Sequence, residues 1–492
     1  MAGYDFDIGV IGGGAAGLTI CSGAAQLGAK TLLVEKEEAL GGDCLHFGCV
    51  PSKTLIKSAK MYHDMGRGAE FGLPEVARPP VDFDQVRQRI AAVIATIQEH
   101  DSLDRFQGLG VQVKFGTPRF RDEHQLELAG QLITAKSWVI ATGSSPAAPP
   151  FPGLDQTPHL TNREIFSLTE LPTSLIVLGG GPIACEMAQA FGRLGSKVTI
   201  LQRSEQILSK EDPDMAAIVQ TAMAHEGITI ELGTEVERVS GDGVGCQVEY
   251  LDQNGQRRQV TGEKLLVALG RSANTTGLGL AGIGVELSKK GIVVDSRLRS
   301  SQPHIFAAGD VTGRHQFTHA AGYEGGIVVS NAIFHLPRHT DYRWLPWATY
   351  CEPELASVGM NEKAAAKAGI ACQVWTEPFS GNDRALCEGA GAGMIKMILD
   401  HKERPLGVQI AGPRAGDLIG QWVTALGGKV KLSRLASAIQ PYPTLAEINK
   451  RVAGNFLSPK IFSPTIKKGL KFFFNYHGDL KDDTPDSQGE ER

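Results

Sequence analysis

Short apolar runs that end in glycine turns are the most regular feature of the hydrophobic pattern. The run Asp5–Val10 leads into a glycine triplet, and a helical pattern follows as far as Gln26. A second apolar strand, Lys30–Val34, ends at an acidic residue. This order of strand, glycine turn, helix and acid is typical of a dinucleotide site. The glycines let a pyrophosphate approach the backbone, and the carboxylate accepts hydrogen bonds from ribose hydroxyl groups. We therefore predict a dinucleotide site at Gly12, Gly14, Gly17 and Glu35.

The same pattern occurs a second time. The apolar strand Leu175–Leu178 enters a turn, a helix follows, and the strand Lys197–Leu201 comes next. The spacing from the first turn residue to the end of the second strand is the same in both copies. Here Gln202 replaces the acid and Arg203 follows it, which favours a ribose 2′-phosphate, and hence NADPH over NADH, although either coenzyme remains possible. The predicted contacts are Gly179, Gly181, Ala184 and Arg203.

Two other buried strands end in turns. They are Lys136–Gly143 and Pro303–Asp310, and a helix is predicted from about Thr318. Prolines between residues 146 and 152 predict an extended linker. From Leu345 onward the pattern becomes a mixture of strands and helices without a glycine fingerprint. Further cofactor contacts are predicted at Gly42, Thr142, Gly143, Gly270, Gly309 and Asp310.

Composition limits the class of protein. With 492 residues, the chain has room for about three domains. The formal net charge of −5 gives no sign of nucleic-acid binding, and no apolar run is long enough to span a membrane. Eight cysteines in such a chain do not form a disulfide framework, so we expect a cytoplasmic protein. No metal site is predicted.

Two cysteines lie in the stretch GGDCLHFGCVPSK, between Gly41 and Lys53. A helix is predicted from Ser52 to Ala59. Because the positive end of a helix dipole favours thiolate over thiol, Cys44 and Cys49 are interpreted as a redox pair. His46 stands between them, as a packed side chain or as a proton donor or metal ligand.

Two dinucleotide sites and a Cys-x₄-Cys pair together resemble the flavoprotein disulfide reductases: dihydrolipoamide dehydrogenase, glutathione reductase and mercuric reductase. The resemblance covers the chain from Asp5 to Glu447. It implies FAD in the first site and the nicotinamide coenzyme in the second. It also implies that Cys49 contacts the flavin and that Cys44 attacks the substrate. By the same resemblance, Lys53 and Glu186 form an ion pair beside the flavin, and Asp310 binds its ribityl chain.

The implied fold class is α/β, with two Rossmann-like dinucleotide-binding domains and a C-terminal α+β dimerisation domain. The expected FAD-binding domain comprises residues 1–150 and 273–344. The NAD(P)H-binding domain is expected at 151–272 and the interface domain of a homodimer at 345–454. Residues 455–492 remain as a tail.

One segment departs from the family pattern. Family members with disulfide substrates take an acid/base histidine from a segment like His-Pro-Thr-x-x-Glu of the partner subunit. The corresponding stretch here is Pro441–Glu447, with Tyr442 at the histidine position and Glu447 retained. A tyrosine titrates near about pH 10 and seldom shuttles protons, which argues against dihydrolipoamide dehydrogenase.

The electron acceptor therefore stays open. Mercuric reductases also have a tyrosine in this region, but they use a C-terminal vicinal cysteine pair, and no cysteine follows Cys387 in this chain. The prediction is an NAD(P)H-dependent oxidoreductase that passes electrons through the cysteine pair to an unidentified small-molecule acceptor. The alternatives are a mercuric or other metal-ion reductase, dihydrolipoamide dehydrogenase and a non-catalytic flavoprotein scaffold.

The tail combines lysines with aromatic side chains between Phe456 and Tyr476. Such a segment is either buried in the dimer or makes peripheral contact with a membrane surface. The polar residues from Lys481 onward are predicted to be disordered.

Overall fold

The computed structural model describes residues 3–147 and 149–478. Its first part is built on a parallel sheet with the order β3-β2-β1-β6. Every residue of β2 is buried, as expected for a strand covered on both faces. The elements are β1 (Phe6–Ile11), α1 (Ala15–Gln26), β2 (Thr31–Glu35), α2 (Gly42–His46), α3 (Cys49–Met65), α4 (Phe83–Gln98), α5 (Leu103–Gly108), β3 (Val111–Phe115), β4 (Arg119–Phe120), β5 (Gln125–Leu128), β6 (Gln131–Ile140) and β7 (Ser144–Pro146).

The second part repeats this plan. A parallel sheet has the order β10-β9-β8-β14, and an antiparallel meander β11-β12-β13 lies beside it. The first part has a comparable antiparallel extension, β4-β5-β6. The elements are β8 (Ser174–Leu178), α6 (Pro182–Leu194), β9 (Lys197–Gln202), α7 (Pro213–His225), β10 (Thr229–Leu232), β11 (Glu235–Gly241), β12 (Cys246–Leu251), β13 (Arg257–Gly262), β14 (Lys264–Val267) and β15 (Arg271–Ala273).

The chain then returns to the first sheet. Strand β16 (Ile305–Ala307) pairs in parallel with β6, and helix α8 (Thr318–Ala332) packs against α1. Strand β15 pairs antiparallel with β7. These two pairings bring the segment after the second sheet back to the glycine turn of the first.

The C-terminal part is an antiparallel sheet, β17-β18-β21-β20-β19, with helices packed on it. At its centre the buried Trp422 indole donates a hydrogen bond of 2.7 Å to Asn449 Oδ1. The elements are β17 (Pro346–Thr349), β18 (Glu354–Gly359), α9 (Glu362–Lys367), β19 (Cys372–Pro378), α10 (Asp383–Cys387), β20 (Met394–Asp400), β21 (Pro405–Gly412), α11 (Ala415–Gly427), α12 (Leu432–Ser437), α13 (Glu447–Ile461) and α14 (Pro464–Phe474).

The mixed α/β fold class is confirmed, and two local predictions need correction. The helix expected from Ser52 to Ala59 extends from Cys49 to Met65, because Pro51 lies in its first turn, where a missing N–H costs nothing. The expected linker is partly strand, since Pro146 pairs with Arg271. Among the described residues, no helix is both long and apolar enough to cross a membrane. The disorder expected from Lys481 lies outside the described residues.

Candidate active site

The first glycine turn places α1 close to the end of β1. Gly12 has φ +107°, and a Cβ there would lie 2.3 Å from the Ala141 carbonyl oxygen. A Cβ at Gly17 would lie 1.8 Å from the Gly12 carbonyl oxygen. Both positions therefore require glycine. Gly14 caps the N-terminus of α1, whose free N–H groups favour an anion such as a pyrophosphate.

Glu35 lies at the end of β2 and is held by backbone amides. The Gly13 N–H donates to its Oε2 at 2.5 Å. The N–H groups of Lys36 and Glu37 donate to its Oε1 at 2.6 and 2.8 Å. The buried carboxylate lines the same cavity as the glycine turn. It is fixed in place to accept further hydrogen bonds from hydroxyl groups of a ligand.

The second glycine turn has the same backbone conformation. Gly179 also has φ +107°, and a Cβ there would lie 2.6 Å from the Ala268 carbonyl oxygen. Gly181 caps α6, with no atom within 4 Å of the position of a Cβ, so open space lies beside it. Ala184 is fully buried. Gln202 is buried and donates to the Gln206 carbonyl oxygen at 3.3 Å, and the next residue, Arg203, is exposed.

The two cysteines lie on consecutive helices, with Cys44 in α2 and Cys49 as the first residue of α3. Both are free thiols, and the two side chains hydrogen-bond each other. The Thr318 hydroxyl, at the start of α8, lies 3.5 Å from Cys49 Sγ. In α2, Gly42 has φ +63°, and a Cβ there would lie 2.8 Å from Gly14 Cα. The segment 41–53, which carries both cysteines and is called the redox loop, therefore packs directly on the first glycine turn.

The pair is electrostatically polarised. The hydrogen bond from Cys44, then Thr318 and the Lys53 charge, lower the pKa of Cys49 to about 6 against the opposing effect of burial. The same hydrogen bond, together with burial, raises the pKa of Cys44 well above its usual range. At neutral pH the reduced pair therefore consists of a Cys49 thiolate that accepts a hydrogen bond from the Cys44 thiol.

Lys53 and Glu186 form an ion pair of 2.8 Å, from Nζ to Oε2, that joins α3 to α6. The second Glu186 oxygen accepts a hydrogen bond of 3.0 Å from the Tyr350 N–H, and the Lys53 ammonium lies 4.5 Å from the centre of the Tyr350 ring. Burial disfavours the lysine charge, but the nearby carboxylate more than offsets this and raises the pKa of Lys53. A fixed positive charge thus lies beside the thiolate.

Sequence reasoning missed Arg271, which connects three segments around the redox loop. Its Nη2 lies 2.9 Å from Asp43 Oδ2, next to Cys44 in sequence. Its Nε and Nη2 donate to the Ser144 hydroxyl and carbonyl oxygens at 2.7 and 2.8 Å. Ser144 in turn donates to Asp310 Oδ2 at 2.6 Å. The available signals were an acid beside the reactive cysteine and an arginine directly after Gly270.

Asp310 lines the cavity around the cysteine pair, whereas His46 does not. Burial raises the pKa of the Asp310 carboxyl, despite its hydrogen bond with Ser144. The His46 ring nitrogen Nε2 lies 2.9 Å from the Leu40 carbonyl oxygen, which is the packed arrangement considered from the sequence.

One cavity of about 1170 Å³ contains most of the predicted site. It brings both glycine turns, the cysteine pair, the Lys53–Glu186 ion pair and the Asp310 turn onto a common surface. The predicted residues that line it are Gly12, Gly14, Glu35, Gly42, Cys44, Cys49, Lys53, Thr142, Gly143, Gly181, Glu186, Gly270, Gly309 and Asp310. The predicted residues that do not are Gly17, Gly179, Ala184, Arg203, Tyr442 and Glu447.

Tyr442 and Glu447 lie in the C-terminal part, away from this cavity within one chain. The Tyr442 side chain is 70% exposed, and its hydroxyl donates to Asp383 Oδ2 at 2.7 Å. This hydrogen bond and the Asp383 charge raise the pKa of Tyr442. Glu447 begins α13, and its carboxylate accepts a hydrogen bond of 3.5 Å from the Thr444 N–H. The phenol is thus held in its protonated form.

Comparison with known protein families identifies the chain. The family model described as pyridine nucleotide-disulphide oxidoreductase matches residues 6–325, and its dimerisation domain matches residues 345–453. The chain belongs to this family. The pyridine nucleotide-disulphide oxidoreductases are enzymes that use FAD and a pyridine nucleotide, and the resemblance inferred from the sequence is confirmed.

Relatives within the family carry different names. A mercuric reductase of Streptomyces lividans is 35% identical over 92% of this chain and 96% of its own length. A dihydrolipoyl dehydrogenase of Thermus scotoductus is 35% identical over 90% of this chain and 95% of its own. The HOCl-induced flavoprotein disulfide reductase RclA from Escherichia coli superposes with a TM-score of 0.81 at 30% identity, over 91% of this chain and 99% of its own.

The residues present fit the cofactors of the oxidoreductase family. The first turn leaves no room for side chains at Gly12 and Gly42, where two stretches of backbone approach each other. Buried Glu35 and half-buried Asp310 provide two hydrogen-bond acceptors that line the same cavity. Beside the second turn, the open space at Gly181 and the free N-terminus of α6 suit a second pyrophosphate.

Proposed function

We propose that this protein is an NADPH-preferring, FAD-dependent reductase that delivers electrons through Cys44 and Cys49 to an acceptor other than lipoamide or glutathione disulfide. One observation supports this most directly: a single cavity reaches from both glycine turns to the polarised cysteine pair. A binding scaffold would need neither the low thiol pKa nor the adjacent ammonium of Lys53.

The preference for NADPH rests on the end of β9. Gln202 lacks the negative charge that Glu35 has at the equivalent place, so a 2′-phosphate meets no repulsion there. Arg203 is exposed and, among the described residues, forms no ion pair, so its guanidinium is available for a bidentate contact. Gly181 and α6 hold the coenzyme in this proposal, and Gly12, Gly14, Glu35 and Asp310 hold FAD.

When bound, FAD supplies hydride and two-electron chemistry that amino-acid side chains lack. The chain contributes the electrostatics and the thiols. Lys53, held by Glu186, stabilises negative charge on its side of the cavity, and Thr318 donates a hydrogen bond to the Cys49 thiolate. Cys44 attacks the acceptor. When the pair passes two electrons to the acceptor, the two sulfurs form one disulfide bond and the single proton held by the Cys44 thiol leaves.

The proposal for the acceptor rests on the missing acid/base histidine, whose position Tyr442 occupies. Reduction of a disulfide substrate to a dithiol requires a proton donor. The Tyr442 hydroxyl, whose pKa is raised by Asp383, is a poor donor for this proton transfer. A thiophilic metal ion needs no proton and binds thiolate directly. A metal-ion reductase is therefore the second candidate, and it also has support from the relatives named mercuric reductase and from a solved Cu(II) complex of RclA.

The proposed assembly is a homodimer formed through residues 345–454, since the family's dimerisation domain matches almost the same range. The proposed FAD-binding domain comprises residues 1–150 and 273–344, and the NAD(P)H-binding domain residues 151–272. In the dimer, Tyr442 and Glu447 of one protomer are proposed to face the cysteine pair of the other.

Anaerobic reduction tests the proposal. The enzyme is reduced with NADPH, and flavin reoxidation is followed with glutathione disulfide, lipoamide, Cu(II), Hg(II) and quinones. We expect reduction by NADPH, slow reoxidation by both disulfides, and loss of reoxidation by the true acceptor in Cys44→Ser and Cys49→Ser. Fast turnover of either disulfide would contradict the role given to Tyr442, and unchanged turnover in both variants would contradict the role of the thiols.

A further inference from the structure

Helix α14 presents two chemically opposite faces. Apolar side chains at positions i, i+4, i+7 and i+8 lie on one face, namely Ile466, Leu470, Phe473 and Phe474. Lys467, Lys468 and Lys471 occupy the other face. No Asp or Glu occurs between Glu447 and Asp479, and of the cations that precede the helix, Arg451 and Lys460 pair with Glu377 and Glu403.

No other part of the described chain, residues 3–147 and 149–478, buries the apolar face. None of the 11 residues of α14 is buried. On the apolar face, the exposed fractions are 44% for Ile466, 41% for Leu470, 77% for Phe473 and 63% for Phe474. Beyond the end of the helix, the exposed Tyr476 ring stacks on Phe474 with the ring centres 6.0 Å apart. A contiguous aromatic surface of this kind marks a binding site, because isolated soluble proteins seldom expose one.

We propose that residues 462–476 bind the surface of an anionic membrane, with α14 lying in the plane of the interface. At about 1.5 Å per residue, the helix is roughly 16 Å long and too short to span a bilayer. Its apolar face can insert at the boundary between headgroups and acyl chains, and the lysines on the other face can bind anionic lipid headgroups. The occupant of this surface is therefore a lipid surface with negative charge.

Two observations argue against a second copy as the occupant. The dimerisation domain shared by the family ends at residue 453, before α14 begins. Pairing two α14 helices through their apolar faces would also place two lysine clusters along one seam, with no acidic residue in either helix to balance them. An anionic surface removes this repulsion.

Vesicle co-sedimentation of the full-length holoenzyme tests the proposal. We expect binding to vesicles of phosphatidylcholine with phosphatidylglycerol, and little binding to phosphatidylcholine alone. Replacing all three helix lysines, in Lys467→Gln/Lys468→Gln/Lys471→Gln, should weaken binding on the order of a hundredfold, and added salt should act in the same direction. The matched control, Lys136→Gln/Lys197→Gln/Lys402→Gln, removes three other exposed lysines and should bind like the wild type.

A second variant separates insertion from simple charge attraction. Ile466→Ser/Leu470→Ser/Phe473→Ser keeps every lysine but removes the apolar face, and it should also lose binding while NADPH still reduces the flavin. Sedimentation velocity follows the oligomeric state of each protein in parallel. Equal binding to both vesicle types, or a smaller oligomer for the serine variant in the absence of lipid, would overturn the proposal and favour self-association.

Discussion

The two glycine turns have the same backbone and differ in two side chains. Gly12 and Gly179 have the same φ of +107°, and in both turns the carbonyl of the neighbouring strand blocks a Cβ. Each turn ends in a glycine that caps a helix N-terminus. This conformation therefore serves any pyrophosphate, and the choice between two ligands has to come from elsewhere.

The first difference is the depth of helix packing. Gly17 lies so close to the Gly12 carbonyl oxygen that a Cβ would be 1.8 Å away, whereas Ala184 carries its Cβ fully buried at the matching position. Helix α1 therefore approaches its turn more closely than α6 does. The second difference is at the strand end, where Glu35 accepts hydrogen bonds from three backbone N–H groups and Gln202 instead donates one to the Gln206 carbonyl oxygen.

The two turns also reach the cysteine pair by different routes. The first does so through backbone contact, since Gly14 packs on Gly42 of the redox loop. The second does so through charge, since Glu186 of α6 forms an ion pair with Lys53, and both residues line the cavity. One turn therefore fixes where the loop lies, and the other adjusts the charge beside the thiols.

The largest expected effect comes from making the turns alike. Gly17→Ala should push α1 away from Gly12, lower the free energy of unfolding by about 1–3 kcal/mol and reduce FAD affinity up to on the order of a hundredfold. Bound flavin per chain and thermal unfolding measure this. The reciprocal control, Ala184→Gly, should change the KM for NADPH only slightly, and equal damage from both changes would mean that the helices pack alike.

The second expected effect concerns coenzyme choice. Arg203→Ala should lower kcat/KM for NADPH roughly tenfold or more while leaving that for NADH nearly unchanged, because a hydrogen-bonded charge pair contributes about 1.5–3 kcal/mol. Gln202→Glu copies the first turn and should shift preference towards NADH. If the ratio of the two kcat/KM values stays constant in both variants, Arg203 is a surface residue without a role in selection.

The comparison also shows how far the sequence alone reaches. Both glycine turns were predictable, because φ near +107° and close backbone contact require glycine at fixed spacing. The Lys53–Glu186 ion pair followed only from the family resemblance, since its members lie 133 positions apart and no local pattern relates them.

Arg271 and Thr318 show why other contacts of the candidate site could not be predicted from the sequence. Arg271 meets Asp43 only because β15 pairs with β7 and returns the chain to the redox loop. Thr318 contacts Cys49 because α8, which follows the entire second sheet in the chain, packs on α1. Contacts of this kind depend on tertiary topology, whereas a sequence pattern reports only spacing along the chain.

The third expected effect tests this tertiary contact. Asp43→Asn keeps the size of the side chain but removes the charge opposite Arg271, and it should lower the free energy of unfolding by about 1–2 kcal/mol. Urea unfolding of the holoenzyme measures it. Asp383→Asn, which removes a charge beside exposed Tyr442, is the control and should be nearly neutral. A neutral result for Asp43→Asn would show that the contacts of Arg271 with Ser144, Asn162 and Asp310 hold it without the Asp43 charge.

The smallest expected effect separates the charges beside Cys49. Its pKa of about 6 means that the reduced enzyme holds mostly thiolate above this pH and loses it on acidification. Lys53→Met removes a charge that lowers this pKa and should raise it by roughly half a pH unit. Glu186→Gln removes a charge that raises the pKa and should lower it by a similar amount. Thiolate ultraviolet absorbance of the reduced enzyme, with Cys49→Ser as the blank, follows both. Shifts of the same sign in the two variants would show that the ion pair acts by positioning α3 and not by its charges.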